Sequence, residues 1–587
     1  MSTDNILQRA HEYCRQETHP LFKKQVEDLI AADNVAELQD RFYTDLEFGT
    51  GGLRGVIGGG FNRMNPLNVQ KATEGLAQYV LEAFPGGKNL SAVIAFDSRH
   101  YSDLFAEIAA LVFATYGITC YVFTAPRPTP MLSFAIRYLK AKTGIVLTAS
   151  HNPPEYNGYK AYWDDGSQII SPHDAAIIEK VRTIKETKSL ITKLDAVNKK
   201  LLVYIDEEID AAYTEMIVSK LLRPDLGKEK GSMLSCVYTP LHGTGYIPLS
   251  RAFKKAGYTL DVVERQKDPN GDFPTVSYPN PEVAEALELA VLQAKENNAD
   301  LVLATDPDAD RLGIGILKDG ECTLLTGNQL GVLFTDYLLA TLKETGSMPN
   351  HPLIIKTIVT TELQRLVAEH YGALCVDTLT GFKYICSVMR ENEQGSTPQD
   401  FILGNEESYG YLIEDEVRDK DGISAALLAA EMALYCKTKN KTILSRLEEI
   451  YRQFGFFEDS QISKVFRGEQ GREIIKQIMN TLRENPPKVF AGIPVARIKD
   501  YQKQTTTDCA AGDSAKNIAL PVSNVLQFLL DDATLVSVRP SGTEPKIKFY
   551  ISVSTSPGQD LGQMKETAKK KTAVVAEYIH SITQEAK

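Results

Sequence analysis

Gly144-Ile145-Val146-Leu147-Thr148-Ala149-Ser150-His151-Asn152-Pro153-Pro154 is the stretch on which the reading of this chain turns. Its first five residues form an apolar, β-branched run, the pattern of a buried strand. The asparagine and the two prolines forbid a regular continuation and hold the chain in a stiff loop. Ser150 is therefore presented at the end of a strand, where open α/β sheets keep their chemistry. Taken alone, a Ser-His pair in such a turn is more often a cap for the next segment than a site. The flanking sequence has to supply the context.

Upstream, the spacing predicts a helix over 69–83 and a strand over 91–96 that ends at Asp97-Ser98-Arg99. A helix over 102–116, a strand over 119–124 and a helix over 130–140 follow. This alternation implies a mostly parallel sheet with helices on its faces. Residues 1 to about 40 have helical spacing, and the polar stretch 183–200 reads as a surface connection, so a first α/β domain spans 1–205. A second, 206–322, opens with a strand over 233–238 ending in TPLHGTG and closes with a strand over 299–304 that runs into DPDADR. A third, 323–457, has strands over 353–358 and 373–376, the loop TLTGFK, and an apolar strand at 401–404 that runs into NEESYGY. Each of the three units delivers one polar signature at a strand's end, an internal repeat of architecture. The fourth, 458–587, has weak periodicity as far as 524 and then strand, loop, strand and a final helix over 561–584, an α+β pattern.

At 587 residues the chain is too long for one core, and length alone suggests about three to five domains. A net charge of −12 excludes a global basic field for nucleic acid, and anionic ligands would need local Arg, Lys and amide clusters. The eight cysteines show neither CxxC pairs nor zinc spacing, which suits free thiols in a reducing compartment. No secretory signal is visible at the polar N-terminus, and no run approaches the roughly 18 apolar residues of a membrane span. The expectation is a soluble cytoplasmic protein without nucleic-acid or membrane partners.

DPDADR, Asp306 to Arg311, places three carboxylates at alternate positions of a short loop. Hard oxygen donors at that density suit Mg²⁺, Mn²⁺ or Ca²⁺. The Ca²⁺-sensor pattern fails, because Arg311 stands where its glycine belongs and Leu317 where its final glutamate belongs. Three carboxylates leave a coordination position open, which a serine-borne phosphate oxygen can fill. RPSGTEPK, Arg539 to Lys546, offers a guanidinium, two hydroxyls and a glycine between two strands, a set suited to a phosphate dianion or to a stabilised hairpin turn. GNEESYG, Gly404 to Gly410, puts two carboxylates and a serine where sugar hydroxyls could be held, with a glycosidase pair as the weaker alternative. In TLTGFK, Lys383 reads as a phosphate ligand, a proton shuttle or a solvated lysine. GTGGLRG, Gly49 to Gly55, fails the dinucleotide fingerprint and reads as a flexible turn with one arginine, Arg54. VRDKDG, Val417 to Gly422, adds charges whose role spacing does not fix.

In this order, TASHNP, DPDADR, GNEESYG and RPSGTEPK closely resemble the α-D-phosphohexomutase family over nearly the whole chain. The resemblance implies four domains around a central cleft: three similar α/β domains with mixed sheets and a C-terminal α+β domain. It implies a phosphoserine at Ser150 and one Mg²⁺ per subunit, held by Asp306, Asp308, Asp310 and the serine's phosphate. Arg54, Lys160 and Arg311 would lie near the transferring phosphoryl group. Glu406 and Ser408 would grip the sugar, and Arg539, Ser541, Gly542 and Thr543 the phosphate not in transfer. Lys160 or Lys383 would serve as general base ahead of His151. EESYG, GTGGLRG and RPSGTEPK look most like the branch of phosphoglucomutases, phosphopentomutases and glucose-1,6-bisphosphate synthases, and less like the phosphomannomutases. The expected activity interconverts glucose 1-phosphate and glucose 6-phosphate through glucose 1,6-bisphosphate. Sugar phosphates would be the partners, and the chain a monomer or homodimer. Two other classes remain to be separated: a serine hydrolase using Ser150 with His151 or His242, which lacks GxSxG, and a non-catalytic sugar-phosphate-binding protein.

Overall fold

The computed structural model describes residues 3–49, 51–466, 468–541 and 546–585. They form two compact units, one of residues 1–327 and 385–439, the other of residues 328–384 and 440–587. In the first unit, strands β1 (Gly52–Val56), β2 (Ser91–Phe96), β3 (Thr119–Phe123), β4 (Thr143–Leu147), β5 (Tyr156–Trp163) and β6 (Leu202–Ile205) make a six-stranded sheet in the order β1-β5-β4-β2-β3-β6. β2, β3, β4 and β6 are parallel, and β5 and β1 are added antiparallel. Every residue of β2 and β4 is buried, as expected of central strands covered on both faces. Val69, Leu76 and Val80 of the helix Pro66–Ala83 share the core with Phe105, Ala109 and Phe113 of the helix Ser102–Thr115. Each such buried Phe or Leu contributes roughly 1.5–3 kcal/mol. Asn65 caps the first of these helices by accepting from the Asn68 N–H, and Pro66 occupies its first turn.

Three N-terminal helices, Thr3–Gln16, Pro20–Ala31 and Val35–Phe42, build a satellite core in which Tyr13, Phe42 and Phe61 meet edge to face. A second sheet holds β7 (Cys236–Thr239), β8 (Asp261–Val262), β9 (Leu301–Thr305), β10 (Leu312–Lys318) and β11 (Glu321–Leu324) in the order β11-β10-β9-β7-β8. β7, β8 and β9 are parallel, whereas β10 and β11 are antiparallel additions. The helix Gly422–Thr438, buried along most of its length, packs on β9 and β10.

β12 (Pro352–Thr357) and β13 (Leu374–Thr378) run parallel in the second unit, and β14 (Asp400–Glu406) and β15 (Gly410–Leu412) form an antiparallel pair in the first. The second unit also carries an eight-stranded sheet of β16 (Phe457–Val465), β17 (Val489–Phe490), β18 (Ile493–Asp500), β19 (Thr505–Asp508), β20 (Ser514–Ala515), β21 (Leu526–Leu530), β22 (Leu535–Pro540) and β23 (Lys546–Ser554). All of its pairings are antiparallel, and the helices Gly468–Glu484 and Leu561–Glu585 accompany it. The C-terminal region is thus α+β, as its pattern implies.

Three local readings need correction. GTGGLRG is not simply a flexible turn: its second half is β1, paired with β5 so that Arg54 faces Gly158. The chain after Ser150 turns back into β5, which places Lys160 between Val146 of β4 and Gly52 of β1. The region of weak periodicity before residue 524 holds the strands β16 to β20 and a helix that buries Ile475, Ile478, Met479 and Leu482.

Candidate active site

Ser150 follows β4 on a tight turn with φ of 51°, the left-handed region that a serine adopts only when its surroundings hold it there. Its N–H donates to Thr148 Oγ1 at 2.8 Å. The loop is pinned from beneath by Arg99, just past β2. Its guanidinium donates to the carbonyls of Ser150 at 2.6 Å, Pro153 at 2.8 Å and Tyr156 at 3.0 Å, and to that of Asn152. Asp97 pairs with Arg99 at 3.5 Å, both side chains fully buried. Arg54 Nη1 donates to Asn152 Oδ1 at 3.1 Å, which puts β1's arginine at the rim of the loop. Gly158 lets β5 pass closely, since a Cβ there would lie 2.4 Å from the Thr148 carbonyl.

The Ser150 hydroxyl donates to Asp306 Oδ2 at 2.6 Å. Asp306 directly follows β9, and its other oxygen accepts the N–H groups of Asp310 and Arg311, each at 3.1 Å, closing the DPDADR loop. Lys160 Nζ reaches Asp308 Oδ2 at 2.7 Å and Asp310 Oδ2 at 3.2 Å. Lys420, from VRDKDG, reaches Asp310 Oδ2 at 3.1 Å. Burial, reinforced by the charges of Asp308 and Asp310, pushes the Asp306 carboxyl well above its usual range. Asp308 is as deeply buried, but Lys160 overcomes the burial and holds its carboxyl below the ordinary value. Burial works against the Lys160 ammonium as well, yet Asp308 and Asp310 outweigh it and raise its pKa. His151 Nδ1 lies 3.1 Å from Ser150 Oγ, and burial followed by the charges of Arg311 and Arg54 drives its pKa well down, so it is neutral.

The donors present fit a hard divalent cation. Asp306, Asp308 and Asp310 each offer an oxygen within 4.8 Å of the others, and all three are buried. Asp308 Oδ1 and Asp310 Oδ1 are enclosed without a hydrogen-bond partner, because the lysines occupy the Oδ2 atoms. An all-carboxylate set of this kind suits Mg²⁺ or Mn²⁺ and no soft metal.

The sugar-loop candidates stand beside this loop. Glu406 ends β14, Ser408 lies in the turn after it, and the Tyr409 carbonyl accepts the Leu312 N–H at 3.0 Å, one residue past Arg311. Arg311 itself pairs with Glu282. VRDKDG, whose role spacing left open, is a strap. Arg418 N–H donates to Ser133 Oγ at 2.7 Å, Asp419 accepts from Tyr162 Oη at 2.6 Å, and Asp421 caps the helix Gly422–Thr438. Lys420, Arg99 and Thr129, whose hydroxyl donates to Asp308 Oδ2 at 2.8 Å, are the residues that motif reading missed. Only the alternating charges of VRDKDG and the arginine at the end of β2 hinted at two of them.

Lys383, Arg539 and Ser541 lie in the second unit. Lys383 sits in the first turn of the helix Phe382–Gln394 rather than in a loop, 5.3 Å from the Tyr384 ring centre. Arg539 lies on β22 opposite Lys548 of β23, and the Ser541 N–H donates to the Lys546 carbonyl at 2.8 Å. Gly542 and Thr543 lie outside the described residues. His242, the other histidine a hydrolase might use, meets Thr275 Oγ1 through its Nε2 at 2.9 Å.

A strand-end serine held against a buried acidic triad, with lysines neutralising the carboxylates on an α/β scaffold, is an arrangement suited to phosphoryl transfer. Three family models describe the chain: the phosphoglucomutase/phosphomannomutase α/β/α domains I over 45–188, II over 211–318 and III over 326–454. A phosphoglucomutase of Staphylococcus haemolyticus is 35% identical, covering 89% of this chain and 93% of that protein. The human phosphopentomutase is 33% identical, covering 97% and 95%. The crystal structure of pp63/parafusin, a phosphoglucomutase of Paramecium in its open form, superposes with a TM-score of 0.69 at 19% identity, covering 92% of this chain and 96% of that one, a likeness of fold. The chain belongs to the phosphoglucomutase/phosphomannomutase family, the α-D-phosphohexomutases, Mg²⁺-dependent isomerases that move a phosphoryl group within a sugar phosphate.

Proposed function

We propose that this protein is a phosphoglucomutase that works through a phosphoserine at Ser150. The observation that carries the reading is the 2.6 Å contact between Ser150 Oγ and Asp306 Oδ2, a hydroxyl at the edge of a buried triad suited to a divalent cation. In the first half-reaction a hydroxyl of glucose 1-phosphate attacks the phosphorus on Ser150. The bond from phosphorus to Ser150 Oγ breaks, the sugar hydroxyl gives up its proton, and glucose 1,6-bisphosphate results. In the second half, Ser150 Oγ takes the other phosphoryl group and glucose 6-phosphate leaves.

Phosphoryl transfer runs through a loose transition state, so positioning and charge dominate. One Mg²⁺, held by Asp306, Asp308, Asp310 and the serine's phosphate, would supply Lewis-acid charge there. Lys160, kept protonated by its two carboxylates, suits charge stabilisation better than proton abstraction, so Lys383 and, behind it, neutral His151 are the candidates for the base. Arg54 beside Asn152 and Arg311 beside Asp310 add positive charge. Glu406 and Ser408 would bind sugar hydroxyls, and Arg539, Ser541, Gly542 and Thr543 the distal phosphate. The domains on this reading are 1–205, 206–322, 323–457 and 458–587, in a cytoplasmic monomer or homodimer that binds no nucleic acid.

Ser150→Ala should abolish turnover of glucose 1-phosphate, and the wild-type peptide carrying Ser150 should be heavier by about 80 Da of phosphate. Full activity in that variant would sink the proposal. The coverage of the human phosphopentomutase favours a second reading, a pentose phosphate as substrate. Parallel assays of glucose, ribose and mannose 1-phosphates, with 1,3-bisphosphoglycerate as an added donor, separate these and the synthase activity.

A further inference from the structure

The DPDADR loop is gripped by two threonines that no motif drew attention to. Thr244, from TPLHGTG, gives both its N–H, at 2.8 Å, and its hydroxyl, at 2.9 Å, to the Pro307 carbonyl. Thr129, at the start of the helix Thr129–Tyr138, gives its N–H to the Asp308 carbonyl at 2.9 Å and its hydroxyl to Asp308 Oδ2 at 2.8 Å. The first fixes backbone only. The second fixes a carboxylate. With Lys160 also on Oδ2, that oxygen is saturated and the plane of the Asp308 carboxylate is set, while Oδ1 stays buried and unpaired.

We propose that Thr129 is a positioning residue for the metal site: its hydroxyl orients Asp308 so that Oδ1 is kept for the ion. The assignment rests on the reading of Asp306, Asp308 and Asp310 as cation ligands. Partners of ligating carboxylates act in this way, and their loss typically weakens metal affinity about 10–100-fold. Without the hydroxyl, the Asp308 carboxylate can rotate toward Lys160 and offer its second oxygen to the ammonium instead of to a cation. Thr129 belongs to the α/β layer that carries Ser150, and Asp308 to the next one. The same hydroxyl therefore ties the phosphoserine layer to the metal loop.

The loop backbone keeps its other anchors in a Thr129→Val variant: the Thr129 N–H, both Thr244 bonds, and the Asp310 and Arg311 amides on Asp306. The test is equilibrium binding of Mn²⁺ to the full-length protein, read by the loss of the free-ion electron paramagnetic resonance signal. Thr129→Val should bind Mn²⁺ about 10–100-fold more weakly and melt like the wild type without metal, and Thr129→Ser should restore binding to within about threefold. Should the valine not fold, Thr129→Ala removes the same hydroxyl without added branching and is read in the same way. Wild-type affinity in Thr129→Val or Thr129→Ala overturns the assignment, as does equal weakening in Thr129→Ser. Asp308→Asn separates the two levels. If it binds Mn²⁺ as the wild type does, or if the wild type binds none, the metal reading fails and the role of Thr129 falls with it.

Discussion

Ser150 is held as much by what lies beneath its loop as by the loop's own prolines. Arg99 spends its guanidinium on three carbonyls of that loop, on the Tyr156 carbonyl at the start of β5 and on buried Asp97, so its removal should take from Asp97 its ion-pair partner in a buried setting. Arg99→Met should destabilise the protein by about 3–5 kcal/mol in denaturant unfolding, and adding Asp97→Asn should recover part of the loss. A second residue-scale outcome concerns the single tryptophan. Trp163 stacks on His173 at 4.5 Å, and Tyr79 Oη lies 2.8 Å from His173 Nδ1. Burial, followed by the Arg390 charge, lowers the His173 pKa below its ordinary 6.5, so the ring is neutral at pH 7. The unfolded chain takes up this proton first as pH falls. The stability from this site is therefore present above about pH 6.5 and lost below it, down through the folded-state pKa. Trp163 fluorescence should fall as His173 is protonated on the acid side of 6.5, and His173→Gln should remove that step.

At the scale of elements, the metal loop depends on how closely a neighbouring loop approaches it. A Cβ at Gly243 of TPLHGTG would lie 2.3 Å from the Pro307 Cα, a backbone atom that cannot swing aside. Gly243→Ala should lower thermal stability by about 1–3 kcal/mol and weaken Mn²⁺ binding through the displaced loop. An unchanged melting curve would show that the loop moves freely. The elements also differ in how legible they were. β2, β4 and β9 read directly from sequence, because strands buried on both faces are unbroken apolar runs. β5 did not, because YNGYKAYW interleaves aromatic and polar residues and its lysine faces a site rather than solvent. β1 was hidden by its glycines, Gly52 being required where a Cβ would lie 1.8 Å from the Tyr159 carbonyl. The helix Gly468–Glu484 does carry the spacing Ile475, Ile478, Met479 and Leu482, but short exposed strands surround it and dilute the pattern.

For the whole molecule, a cation that binds only the folded first unit must stabilise it by mass action. Mg²⁺ at about a hundredfold excess over its dissociation constant should add ~2.7 kcal/mol, seen as a rise in the melting midpoint. Asp308→Asn should abolish that rise, and a shift that survives the substitution would count against the acidic loop. The amino-acid sequence alone determined the layered α/β pattern, the α+β end and the four polar signatures. Each depends on periodicity or on residue type at short range, and both are written locally. Only the tertiary structure decided that Arg99 supports the Ser150 loop, that Lys160 and Lys420 share Asp310, and that Thr129 orients Asp308. These are contacts between residues 51 to 179 positions apart, made by side chains common on any surface. Their roles come from burial and from which carboxylate oxygen they occupy, and neither is a property of the residue itself.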